Sequence, residues 1–417
     1  MLIRDPIHGD LELSAAETRL LDLPVMQRLR GIKQLGTAYL VYPGAVHTRF
    51  DHSIGVCAVA HRLVEALRRR GHAIDAEQEA QIGAAALLHD VTHVPFGHTL
   101  EDERRLFARH DKGSRLAHLL AGELGDVLAS LGWRDTLAGL LGAGPLLSPP
   151  WMQDLVSGTI DADLLDYLRR DSFFAGLSHD YDDRIFRAFS LHDERLVVLL
   201  AKHGMDRPDA RSEIIRVLRL RYFLTERVYY HHTKVIAGAM ISKAVERAVD
   251  HGVLAEDGLL GLNDWTLLDR LQTSGVPEAM ALTGQVQRRA LLKRGYVVSG
   301  RSVPEALRGE WVARYHASRE QRAAVERDMA QALGVGFEDV VLYCPALTVM
   351  KEAAVRVENS RGAAWLNDPG DEACGEIRAL EERYAGLWRF YIFVPPGKTR
   401  EAARVAGEMF GIASEHG

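Results

Sequence analysis

The 417-residue chain reads as a mainly α protein, a helical body followed by a small α+β appendage. Three observations carry that reading. Apolar residues recur at helical spacing through the first two thirds of the sequence. β-branched and aromatic runs of strand length gather only after about residue 295. The balance of 47% apolar and 26% charged residues is that of an ordinary globular chain, long enough to bury a sizeable core.

The periodicity predicts helices over 14–22, 24–34, 53–70, 76–89, 113–130, 152–170, 208–250 and 264–292. The third shows how such an element is read. Asp51 or Ser53 can cap it, and Ile54, Val56, Val59, Leu63 and Val64 supply the apolar series. Strand-like runs in this part are short, Leu11-Glu-Leu13 and Arg195 to Leu200. A Gly- and Pro-rich stretch over 142–150 marks a loop between two groups of helices. Beyond it the runs Tyr296-Val-Val298, Val340 to Tyr343, Ala354 to Val357 and Arg389 to Val394 read as strands, with helices over 318–333 and 398–411. The expected organisation is therefore a helical unit over 1–290 and an α+β unit over 291–417.

Charge and cysteine usage narrow the function classes. The formal charge is 51 − 57 = −6, which argues against a nucleic-acid coat protein. Cys57, Cys344 and Cys374 are few, widely spaced and odd in number. They make neither a cysteine zinc motif nor a disulfide framework and fit a reducing cytoplasm. No signal pattern is seen, and no apolar run approaches the ~18 residues of a membrane span.

The most informative string is Ala85-Ala-Leu-Leu-His-Asp-Val-Thr-His-Val-Pro-Phe-Gly-His98. Adjacent residues on a helix point about 100° apart, so His89 and Asp90 converge on one object only at a helix end. A divalent metal accepts such a nitrogen and oxygen in cis. A bare His-Asp pair is more often a cap beside a surface ring; here further segments supply more ligands. Arg49-Phe-Asp-His52 opens a helix. On another, Asp163, Tyr167, Arg170 and Asp171 sit at i, i+4, i+7 and i+8, one face. Between them lies His110-Asp-Lys-Gly-Ser114.

In chain order, Asp5-Pro-Ile-His-Gly9, Gln27 to Gly36, Arg49-Phe-Asp-His-Ser-Ile-Gly55, His89 to His98, His110 to Ser114 and Asp163 to Asp171 resemble the HD-domain phosphohydrolases. Within them they are most similar to the deoxynucleoside triphosphate (dNTP) triphosphohydrolase branch that includes the SAM-and-HD-domain enzymes. The likeness runs from residue 3 to about 245 and is loose beyond 285. It implies an HD-type helical bundle and a metal held by His52, His89, Asp90 and Asp163. It implies that His98 protonates the departing 5′-oxygen, that His93 and His110 contact phosphate or position water, and that Glu101 orients one of these rings. Arg49, one turn from His52, together with Arg221 and Tyr167, would grip phosphate. Gln34 and Leu35 would read the sugar, Asp171 would accept from its 3′-hydroxyl, and Tyr229 would pack against it. Two departures stand out. Leu164 occupies a position where the branch carries a phosphate-binding lysine. Asp22 and Arg30 match a nucleotide-activator site, but Met1-Leu-Ile-Arg4 lacks its lysine, and no SAM domain is expected ahead of Asp5.

Two imidazoles and two carboxylates suit manganese, iron(II) or magnesium better than a thiolate-preferring zinc site, and leave positions for water and substrate. An ion so held lowers the pKa of water and can also take a phosphate oxygen. The leading expectation is a cytoplasmic, homo-oligomeric enzyme that hydrolyses dNTPs to deoxynucleoside and inorganic triphosphate. The alternatives are another HD phosphohydrolase activity, a nucleotidase or phosphodiesterase on mononucleotides, and a non-catalytic nucleotide-sensing module.

Overall fold

The computed structural model describes residues 1–110, 114–370 and 373–416. The chain opens with a hairpin, β1 (Leu2–Asp5) paired antiparallel to β2 (Gly9–Glu12), and α1 (Ala15–Leu21), whose Ser14 and Glu17 form a capping box. The helix expected over 24–34 is cut short. α2 (Pro24–Gln27) runs into a 3₁₀ turn at Arg28–Gly31, because the Arg28 guanidinium turns to the carbonyls of His93 and Leu262, at 2.7 and 2.9 Å.

The core of the body is α3 (Arg49–Arg69) against α4 (Ala76–Leu88). α3 begins earlier than the sequence suggested. Thr48 is its cap and Asp51 closes the capping box from inside, so neither Asp51 nor Ser53 is the cap residue. The single helix expected over 113–130 is α5 (Arg115–Leu120) and α6 (Glu123–Ser130), broken at Gly122, whose backbone is extended. Its first residue, and Asp111 to Gly113 of the histidine motif, lie outside the described residues. α7 (Arg134–Leu140), unforeseen, precedes α8 (Pro150–Ser157) and α9 (Ala162–Phe174); the latter is capped by the Asp161 carboxylate on the Leu164 amide at 2.7 Å.

A small sheet follows, β3 (Phe189–His192) and β4 (Arg195–Leu199), then a two-residue hairpin of β5 (Ala201–Lys202) and β6 (Met205–Asp206). The long helix expected over 208–250 is α10 (Pro208–Leu224) and α11 (His232–Asp250), joined by a π-helical turn at Thr225–Tyr229. α12 (Glu256–Leu259), α13 (Asp264–Gln272) and α14 (Pro277–Gln287) complete the body, the last two separated at Pro277.

In the C-terminal part β7 (Lys293–Ser299), α15 (Glu305–Trp311), α16 (Arg319–Leu333) and β8 (Val341–Tyr343) come first. β9 (Arg356–Asn359), β10 (Gly362–Trp365), α17 (Cys374–Ala385), β11 (Arg389–Val394) and α18 (Thr399–Phe410) end the chain. β7, β11 and β8 form one antiparallel sheet, as expected of an α+β appendage. β9 does not join it. It pairs parallel with β4, Val357 opposite Val198, and so makes the body's sheet four-stranded. Charge ties the parts as well. Arg104 reaches Glu246 on α11 and Glu326 on α16 (2.9 and 2.7 Å), Lys243 meets Glu326 at 3.1 Å, and all four are buried.

Candidate metal centre and pocket

Three helices deliver the ligand set expected from the sequence. His52 comes from the first turn of α3, His89 and Asp90 from the C-terminal end of α4, and Asp163 from the first turn of α9. His52 Nε2 lies 3.2 Å from His89 Nε2 and 2.9 Å from Asp163 Oδ1, while His89 Nε2 is 3.5 Å from Asp90 Oδ1 and 3.7 Å from Asp163 Oδ1. Atoms of His52, His89 and Asp90 all fall within 4.8 Å of one another.

The outer nitrogens explain why both rings present Nε2. His52 Nδ1 donates to Asp166 Oδ2 at 2.8 Å and His89 Nδ1 to the Ala86 carbonyl at 2.8 Å. With Nδ1–H fixed in this way, the Nε2 lone pairs face one another, an arrangement that a shared cation stabilises. The donor set thus fits a divalent ion with nitrogen and oxygen preference. Burial would lower the His52 pKa, but Asp163 and Asp166 on its two nitrogens push it up to about 10, so a cation at Nε2 displaces a proton.

Asp166 is a hub that the sequence reading passed over. Besides His52 it accepts from His8 Nε2 at 2.6 Å and from Arg170 Nε and Nη2 at 2.8 and 2.9 Å. Arg170 also binds Asp5 at 2.9 Å. The opening Asp5-Pro-Ile-His-Gly9 string therefore reaches the centre through Asp166. Gly55 makes this possible: any Cβ there would overlap Asp166 and Arg170, so only glycine lets α9 approach α3 this closely.

Arg49 sits on Asp90 Oδ2. Burial would raise the Asp90 carboxyl, but Arg49, His89 and His93 hold it well below the usual carboxylate range. Beyond it three rings pack together: His93 stacks on His110 at 3.7 Å between centroids, and His98 meets His93 edge-on at 4.8 Å. Glu101 orients the group. Its Oε2 takes His110 Nδ1 at 3.2 Å and lies 3.4 Å from His98 Nδ1, while Oε1 is bound by Arg115 at 2.7 Å. Burial would raise Glu101, but His110 and His98 hold it strongly down as a carboxylate. Burial keeps His93 neutral, whereas the His98 side chain is 45% exposed and faces solvent. Two left-handed residues, Phe96 and Gly97 (φ 59° and 53°), make the turn that presents it, and a Cβ at Gly97 would press on Arg49.

Residues 49–138 match the HD domain, and residues 182–417 match the HD associated region. The chain belongs to the HD-domain family. It is 28% identical over 409 residues to the uncharacterized protein MJ1154 of Methanocaldococcus jannaschii, covering 96% of this chain and 80% of that one. It is 32% identical over 253 residues to the uncharacterized protein YwfO of Bacillus subtilis, covering 59% of this chain and 55% of that one. To the deoxynucleoside triphosphate triphosphohydrolase SAMHD1 of Bos taurus it is 31% identical over 284 residues, 60% of this chain and 48% of the relative. It thus spans about half the length of the last two.

Among solved structures, the chain is similar to a phosphohydrolase of Bacteroides thetaiotaomicron (TM-score 0.72, 23% identity, 95% of this chain and all of that one). A hypothetical protein of Aquifex aeolicus is similarly close (TM-score 0.73, 22% identity, 96% and 98%). These likenesses show the fold, which the chain shares with both over nearly its whole length. HD domains bind divalent metals, and the His/Asp group described above could hold one.

In this HD chain a cavity of about 450 Å³ opens beside the candidate ligand group. Gln34, Arg49, His98, His110 and Tyr167 line it together with His89, Asp90 and Asp163. Among the described residues Gln34 Oε1 is buried without a partner, a polar atom for a ligand to satisfy. Leu35 is buried in the core. Behind Tyr167, Tyr229 donates to Asp171 Oδ2 at 2.6 Å, and Asp171 Oδ1 accepts from His47 at 2.8 Å. Arg221 lies over the rings of Tyr167 and Tyr229, at 5.4 and 5.2 Å. Its Nε is bound to Glu352 Oε1 at 3.0 Å, a partner the sequence did not suggest. Leu164 is buried and apolar.

Proposed function

We propose that this chain is a metal-dependent dNTP triphosphohydrolase that cleaves at the α-phosphorus to give deoxynucleoside and inorganic triphosphate. The observation that carries the reading is that Arg49, His89, Asp90, Asp163, His98 and His110 line one cavity, with His52 and His93 packed against them. His52, His89, Asp90 and Asp163 are the ligands. A divalent ion held there supplies Lewis-acid chemistry, acidifying water and screening phosphate charge.

The chain's own groups do the rest. Arg49, Arg221 and Tyr167 bind the triphosphate, the arginines offsetting charge that spreads over the phosphate oxygens. Glu101 and Asp102 hold His98 through Nδ1, so Nε2 is the atom that delivers a proton to the departing 5′-oxygen. His93 and His110 stack beside it and position water and phosphate. The Tyr229–Asp171 pair meets the 3′-hydroxyl and the ring face of the sugar. Gln34 supplies a polar contact, and Leu35 fills the space a 2′-hydroxyl would need. The names of the SAMHD1 relatives support this substrate class.

Residues 1–290 carry the chemistry in this reading, and 291–417 support it from behind Arg221 and Arg104. A cytoplasmic homo-oligomer is part of the same proposal. Among the described residues no helix is long and apolar enough to cross a membrane, and the three cysteines are free and buried.

A second reading is favoured by Leu164 and by Glu352 on Arg221, which together leave less positive charge for a triphosphate: a nucleotidase or phosphodiesterase acting on mononucleotides. One experiment separates them. The manganese-supplemented protein is incubated with each dNTP, NTP and nucleoside monophosphate, and the products are resolved by anion-exchange chromatography. Inorganic triphosphate supports the first reading and orthophosphate the second. No turnover of any nucleotide leaves a sensing module.

A further inference from the structure

α3 has a second face with chemistry of its own. Cys57 and His61 stand one turn apart, and His61 is nine positions from His52, so at 100° per residue the two histidines point in opposite directions. On that far side Glu17 of α1 joins them. Its Oε1 lies 2.6 Å from His61 Nε2 and 3.4 Å from Cys57 Sγ, and the three atoms fall within 4.8 Å of one another. Its other oxygen is fixed by the Ser14 amide at 2.8 Å, so Oε1 is aimed.

Two further features surround the trio. Glu79 Oε1 stands 3.3 Å from His61 Nδ1, where a carboxylate orients a ligand imidazole. On α4, Gly83 faces the pair so closely that any Cβ would overlap Glu17 Oε1 and press on His61 Nε2, and both side chains would have to shift. A cavity of about 900 Å³ opens alongside, lined by all four residues.

We propose that Glu17, Cys57 and His61 form a metal site separate from the HD centre, for a divalent cation that accepts thiolate, zinc above all, with its fourth position open to this cavity. Zinc bonds of about 2.0–2.3 Å at tetrahedral angles separate ligand atoms by roughly 3.3–3.6 Å. The Cys57–Glu17 spacing already has that value, and the Glu17–His61 contact need lengthen by less than about 1 Å. Thiolate and carboxylate together neutralise a divalent charge, which a buried site demands. Burial, with Glu17 adjacent, raises the Cys57 thiol well above its ordinary value, so binding expels a proton as the S–metal bond forms. Cysteine spacing alone concealed the site, because its other ligands are a histidine and a glutamate.

The test uses cobalt(II) on the metal-depleted full chain, since sulfur ligation gives an intense near-ultraviolet charge-transfer band that a His/Asp centre cannot. Titration to two equivalents, enough to fill the HD centre as well, is expected to develop the band, zinc to abolish it, and Asp163→Ala to retain it. Cys57→Ser should lose it, and Glu17→Gln, which keeps the packing, should weaken binding by at least about tenfold. Absence of the band in the parent, its persistence in Cys57→Ser, or unchanged affinity in a folded Glu17→Gln protein overturns the proposal. None of these outcomes bears on nucleotide hydrolysis, so the two readings fail separately.

Discussion

Replacing Asp166 by asparagine tests how the HD centre is set. The carboxylate accepts four bonds, from His52, His8 and both sides of Arg170. Asparagine offers one oxygen and one amide. If the amide faces His52, Nδ1 must accept rather than donate, which moves the proton to Nε2 and points it at the ion. If the amide faces Arg170, two donors oppose each other in a buried site. Orienting partners of this kind contribute about 10–100-fold to metal affinity, or about 1.4–2.7 kcal/mol. Breaking a buried ion pair costs about 3–5 kcal/mol of stability; the surviving Arg170–Asp5 contact at 2.9 Å should hold the loss near the lower end. Manganese titration calorimetry and urea unfolding of the full chain measure the two quantities. A folded variant that binds manganese within twofold of the parent would refute the argument that Asp166 selects the donor atom of His52.

Three further outcomes are expected. Glu352→Gln should free Arg221 and lower KM for a dNTP by about 3–10-fold, equivalent to roughly 0.7–1.4 kcal/mol, with kcat little changed; a raised KM in steady-state assays would make Glu352 a positioning residue instead. Glu326→Ala removes the carboxylate that meets Lys243 and leaves Arg104 with Glu246 alone, and should cost about 3 kcal/mol in denaturant unfolding, with a loss under about 1 kcal/mol counting against the network. Burial, reinforced by Asp102, lifts the Glu103 carboxyl from 4.5 to about 8 against Lys234 and Arg104. A raised acid favours its neutral form in the folded state. Its stabilising contribution is therefore full below 4.5 and is lost as the pH rises to about 8. Glu103→Gln should flatten that fall and exceed the parent above pH 8 by on the order of 3–5 kcal/mol, measured by unfolding across pH.

The candidate ligand group was legible because its signals are local. His89 and Asp90 end an apolar helix, and His52 follows a capping box, so the sequence places them at helix ends. The orienting groups were hidden for the opposite reason. Asp166 looks like one more acid on a charged helix until His8, 158 positions away, is brought onto it. Glu352 meets Arg221 across 131 residues. Likewise the apolar rhythm runs unbroken from α10 into α11, so nothing local announces the π-helical turn that sets Tyr229. β9 has strand composition, but its parallel pairing with β4 depends on a chain reversal that no window of sequence contains.

Asp163 and Asp166 lie one helical turn apart on α9, and the first binds the inner nitrogen of His52 while the second binds the outer. A single rigid turn thus grips one imidazole from both ends. The spacing between these two acids is inherited from backbone geometry, and the ring between them fastens α3 to α9, so loosening of other helices leaves ring and acids in place. Loosening elsewhere in the bundle should therefore alter how substrate enters well before it alters which ion is preferred.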